Sequence, residues 1–116
     1  MQLDRLSTFS EKETFANLAL TLARADGSLD VEEVHLLRLF LAEMGFDQDN
    51  FTFHAINWET ACRCFSQPAS KTIVLSNLVN LCTASATGSR QQKRLLRKIT
   101  LALKPKPCES CALPLQ

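Results

Sequence analysis

Apolar residues recur along most of this chain at helical rather than alternating spacing. Counted from Phe15, Leu18, Ala19, Leu22 and Ala25 lie three, four, seven and ten positions on, the spacing of one helix face. Ser10-Glu11-Lys12-Glu13 reads as a capping box with Ser at the N-cap and Glu at N3. Asp26-Gly27 reads as the stop, because Gly enters the left-handed C-terminal conformation cheaply. A second box, Asp30 with Glu33, opens the next helix. Leu36, Leu37, Phe40, Leu41 and Met44 give that helix a broad apolar face, with Val34 and Leu39 nearby. Such breadth predicts a central helix packed by several neighbours, and Gly45 ends it.

Residues 46–67 carry no long period. Asp47, Asp49 and Asn50 mark a loop, and Phe51, Phe53, Ile56, Trp58 and Phe65 are aromatic and apolar anchors. One or two short helices are expected, chiefly over Trp58 to Phe65. A strand over Phe51-Thr52-Phe53 has no evident partner. Ser66 or Gln67 before Pro68 opens a strongly apolar helix through Ile73, Val74, Leu75, Leu78, Val79, Leu81 and Cys82. It is expected to end near Thr87-Gly88. Ser89 then caps a last helix running to about Leu103. Lys104-Pro105-Lys106-Pro107 closes it. Residues 1–103 thus form one helical domain, and 104–116 read as a flexible tail.

Composition agrees with this pattern. The 116 residues contain three Gly, four Pro and no Tyr, too few turn and strand formers for a β-sandwich or barrel. No apolar run approaches the roughly 18 residues of a membrane span. The start of the chain lacks the layout of a signal peptide, so a cytoplasmic location is expected.

The net charge of +1 conceals an asymmetry. Residues 1–50 hold four Lys/Arg against ten Asp/Glu, a net −6, and residues 51–116 hold nine against two, a net +7. An acidic site in one half and a basic site in the other would follow. The alternative is that the two halves simply attract each other. At 100° per residue, Arg90, Lys93, Arg94, Arg97 and Lys98 cluster on one side of the last helix. Leu95, Leu96, Ile99, Ala102 and Leu103 lie opposite. The basic side is a candidate surface for phosphate or an acidic partner, against the plainer reading of a solvated face. Nucleic acid is disfavoured, because the helix has no aromatic residue for stacking.

Of the five cysteines, Cys62, Cys64 and Cys82 fall in helical segments, where a free Cys acts as a small hydrophobe. Cys108-Glu109-Ser110-Cys111 is one C-x-x-C in a Pro-flanked tail. Zinc needs about four ligands. Cys62, Cys64 and His54 could supply the rest, but no spacing requires it, so zinc is disfavoured and the tail thiols are expected to be oxidisable. Catalysis has little support. His35 sits on the polar side of its helix, His54 lies in the irregular middle, and no third group or oxyanion donor accompanies a Cys–His pair. No Gly-rich phosphate loop is present.

The chain also echoes itself. Asn17-Leu18 through Arg38 and Asn77-Leu78 through Arg97 each read as an apolar helix and small residues, then Asp-Gly-Ser or Thr-Gly-Ser, then a helix with Leu-Leu-Arg. The second copy is two residues shorter between Gly-Ser and Leu-Leu-Arg. Two helix–elbow–helix units facing each other predict an all-α compact bundle of about five to seven helices.

The stretch Ala23-Arg24-Ala25-Asp26-Gly27-Ser28-Leu29-Asp30-Val31-Glu32-Glu33 resembles the TerB-like family of tellurite-resistance proteins, a domain found also at the N-terminus of certain membrane-anchored J-type co-chaperones. Asp26, Gly27, Leu29 and Glu33 match the family's first elbow. In the second copy Thr87 replaces the expected Asp, and Lys93 and Arg94 stand near the expected Glu. The resemblance implies a helical bundle in a cytoplasmic bacterial protein. It further implies a stress-response role as a non-enzymatic interaction module, and a divalent-metal or small-ligand site at the acidic elbow.

Asp26, Asp30, Glu32 and Glu33 are accordingly the candidate ligands for Ca²⁺ or Mg²⁺, hard cations that prefer several carboxylate and carbonyl oxygens. An EF-hand is excluded, since its first and third ligand positions would be Leu22 and Arg24. Helix capping explains Gly27, Asp30 and Glu33 without any ligand, and leaves Asp26 and Glu32 over. An unidentified protein partner, or a second copy docking through the opposite charged faces, completes the expectations.

Overall fold

The computed structural model describes residues 3–6, 8–25, 27, 30–54, 56–84 and 90–103. A 3-10 turn, Leu3–Arg5, precedes five helices: α1 Phe9–Ala23, α2 Val31–Glu43, α3 Trp58–Arg63, α4 Pro68–Ala84 and α5 Arg90–Leu103. Among the described residues there is no strand. The described residues form an all-α bundle of five helices, within the five to seven that the sequence predicts. Phe51-Thr52-Phe53 is irregular backbone.

The start of α1 differs from expectation. Thr8 is its N-cap, accepting the Glu11 N–H at 3.0 Å, while Ser10 lies exposed inside the first turn. Thr8 and Glu11 have the same three-residue spacing as Ser10 and Glu13, and Thr8 wins because Glu11, Thr14 and Phe15 must then turn inward. The helix ends at Ala23 with Arg24 as C-cap, short of the predicted stop. Gly27, at φ +89°, closes a further turn through its N–H on the Arg24 carbonyl at 2.8 Å.

The α2 termini are as predicted. Asp30 accepts the Glu33 N–H at 2.8 Å and Glu33 accepts the Asp30 N–H at 3.1 Å, a complete capping box. At the other end the Gly45 N–H meets the Ala42 carbonyl and the Phe46 N–H meets the Leu41 carbonyl at 2.8 Å. With Gly45 at φ +83°, this is a Schellman motif. Pro68 opens α4. The expected end of α4 near Thr87-Gly88, the Ser89 cap, and the tail 104–116 with Cys108 and Cys111 lie outside the described residues.

The central helix is α1, not α2. Glu11, Thr14 to Ala19, Leu22 and Ala23 are buried on nearly every side of α1, which packs against all four other helices. Val34 and Leu39 of α2 are instead exposed, so its apolar face narrows to Leu37, Phe40 and Leu41, with Leu36 packed beside them. α4 packs against α1, α2 and α5, burying Ile73, Val74, Leu78 and Leu81. One continuous core links Leu3 and Leu6 to Ile99 and Leu103, with Phe15 set edge-on to Phe40 at 5.2 Å. The two echoing units, α1–α2 and α4–α5, pack against each other, and both matched asparagines, Asn17 and Asn77, are buried.

Candidate functional site

The acidic elbow is bound up in the fold. Glu33 is buried, and its carboxylate accepts from the Asp30 N–H through Oε1 and from the Gln92 amide through Oε2. The same Gln92 Nε2 donates to the Ala23 carbonyl at 2.8 Å. One amide thus satisfies a carbonyl in the last turn of α1 and a carboxylate in the first turn of α2. Counting back three residues from Leu36 and from Leu95 in the two echoing units lands on Glu33 and Gln92 respectively. The pair that joins the two units therefore occupies matching positions in each.

This arrangement divides the candidate metal ligands. Glu33 is turned into the bundle, Asp30 is half-buried and caps α2, and Glu32 is exposed. Asp26 lies outside the described residues. Among the described residues no group of three His, Cys, Asp or Glu side chains converges as a metal site.

Among the described residues the three cysteines form no metal site either. Cys62 is buried in α3, Cys82 is half-buried in α4, and Cys64 is exposed, its thiol 3.8 Å from the Thr14 hydroxyl. Burial, with Cys64 and Glu59 nearby, pushes the Cys62 thiol up to about 11. Burial and the Glu33 carboxylate push Cys82 up to about 11 as well. Both are the reverse of the depressed values that mark reactive thiols.

The basic residues of α5 behave differently. Arg90, Lys93, Arg94, Arg97 and Lys98 are all exposed along one side, while Ile99 and Leu103 are buried on the other. The ion pair seen among the described residues is Arg38–Asp49 at 3.3 Å, which involves none of the five. Arg90, Lys93, Arg94 and Arg97 border a shallow depression of about 320 Å³.

Arg94 and Lys98 also face a larger cleft of about 720 Å³ between α5 and the end of α1. Leu20, Phe53 and Leu95 form its half-buried apolar lining, and Arg24, Arg94, Lys98 and His54 stand exposed around it. No Asp or Glu lines it among the described residues. The wall formed by Phe53 and His54 is held in two ways. Buried Asn17 of α1 accepts the His54 N–H at 2.8 Å. A ladder of rings runs from Phe9 through Phe46 and Phe51 to Phe53, with centroids 5.3, 5.0 and 4.9 Å apart.

The sequence pointed to Arg94 and Lys98, marked Phe53 as an anchor and His54 as a possible zinc ligand, and gave no sign that these two would meet Arg24 at this cleft. Arg24 carried no period, and the aromatic middle gave no sign of which helix it would cover. No family model, curated protein or solved structure matches this chain.

Proposed function

We propose that the protein is a non-catalytic binding module that takes an anionic partner on the basic side of α5. The observation that carries this reading is the set of five exposed cations, Arg90, Lys93, Arg94, Arg97 and Lys98, with no ion pair to a described carboxylate. A solvated face formed only for solubility would be expected to intersperse both signs; the described part of α5 contains no acidic residue. Cations on one helix that pair with no described carboxylate attract an anion without first breaking such a pair, and they steer its approach. The TerB-like likeness belongs to the same proposal, as a stress-response interaction module, and neither reading requires a catalytic group.

The test is binding of fluorescently labelled poly-L-glutamate by anisotropy. Affinity should fall steeply between about 50 and 200 mM salt. Arg94→Glu with Arg97→Glu should abolish it while leaving the thermal melt unchanged, since both side chains are exposed. Binding insensitive to both salt and charge reversal would overturn the proposal.

A further inference from the structure

The cleft between α1 and α5 does not end at its cationic rim. Leu20 and Phe53 also line a second crevice of about 220 Å³, which runs between α1 and α2 and is walled by Val34, Leu37 and Leu41. The two cavities share those two side chains, so they adjoin, and their ends are unlike. Arg24, Arg94 and Lys98 stand at the wide end with no described carboxylate beside them. At the narrow end the lining is mostly apolar, with Val34, Leu37 and Leu41 beside Gln48, and the cation there, Arg38, is paired with Asp49.

We propose that this groove binds a single-headed anionic amphiphile, an alkyl carboxylate, with its head group among Arg24, Arg94 and Lys98 and its chain crossing Leu20 and Phe53 toward Val34 and Leu37. The proposal rests on the reading of α5 as an anion-binding face and adds the class of ligand. Three observations favour a small amphiphile over a peptide. The wide end alone lies within the range of small-molecule sites, about 300–1,000 Å³. No strand edge is present among the described residues to pair with an extended backbone. The cations converge from two helices on one end of the groove, which suits one head group. A bare anion would leave the aliphatic end wet, and an uncharged chain would leave the cations unused.

Amide NMR titrations of the full chain with octanoate, 1-octanol and acetate separate these contributions. Octanoate should bind saturably, with shifts at Leu20, Phe53 and Leu95, and about tenfold or more tighter than either 1-octanol or acetate. Arg94→Glu with Lys98→Glu, both at exposed positions, should weaken octanoate by about tenfold or more and leave 1-octanol unchanged. Acetate binding as tightly as octanoate, and lost in the charge-reversed chain, would overturn the amphiphile and keep the anion-binding face. Octanol matching octanoate, or shifts away from the groove, would overturn it too. If none of the three binds, the groove proposal fails, and poly-L-glutamate then decides independently whether the α5 face stands.

Discussion

The Gln92 amide donates to the Ala23 carbonyl and to the buried Glu33 carboxylate. Gln92→Ala removes both bonds, leaves the buried Glu33 Oε2 without the amide and opens a cavity. We expect a loss of about 2–4 kcal/mol in urea denaturation. Gln92→Glu keeps the shape and sets two carboxylates against each other. One of that pair must then hold a proton more tightly in the folded state than in the unfolded chain. The folded state binds the extra proton, so this variant should gain stability as pH falls toward the ordinary carboxylate range, relative to wild type. If its deficit is the same at pH 7 and pH 5, the two side chains do not share a site. A second pH effect belongs to the thiols. Cys62 and Cys82 stay protonated in the fold up to about 11 against an ordinary 9.0. Between those values the unfolded chain loses protons that the folded one keeps, so stability falls as pH rises through that window and is unaffected below it. In a Cys108→Ser, Cys111→Ser chain at pH 8, a thiol reagent should label exposed Cys64 quickly and Cys62 and Cys82 slowly. Equal rates at all three would show that the buried thiols are open to solvent.

Helix ends set by local chemistry were legible in the sequence. The Asp30 and Glu33 box, Gly45 and Pro68 each act within a few residues, and α2 and α4 begin where those residues place them. Asp30→Ala should cost about 1 kcal/mol. Gly45→Ala should cost about 1–2 kcal/mol through the positive φ alone, since a Cβ there meets nothing within 4 Å. A thermal melt separates that from a steric cause, because Gly45→Asn should then be milder than Gly45→Ala. The start of α1 was ambiguous because Thr8 and Ser10 each have a Glu three residues on, and burial, which local sequence does not state, selected Thr8. The Glu33–Gln92 bond was illegible for another reason. Its partners are 59 residues apart, and a glutamine inside a basic helix carries no charge or period to flag it. Its position became readable only once α1–α2 and α4–α5 were seen to pack on one another.

At the scale of the molecule, the basic side of α5 could be read from one helix, whereas the cleft could not. Its walls come from α1, the 53–54 segment and α5, and only the packing of α1 at the centre of the bundle brings them together. That packing also ties the beginning of the chain to its later helices. Leu3 and Leu6 are almost fully buried, and the turn that carries Leu3 contacts α2 and α4. Deleting residues 1–6 therefore removes two core side chains, each worth about 1.5–3 kcal/mol when fully buried. It also uncovers apolar surface on two helices that do not touch the cleft through those residues. We expect the midpoint of urea denaturation to drop markedly, with a single transition retained, because the core is one cluster rather than two. Under native conditions the deleted chain should still bind poly-L-glutamate with the wild-type salt dependence. A deletion that leaves the midpoint unchanged would mean that Leu3 and Leu6 are not part of the core. Loss of binding from a still-folded chain would mean that the geometry of α5 depends on the far side of the bundle.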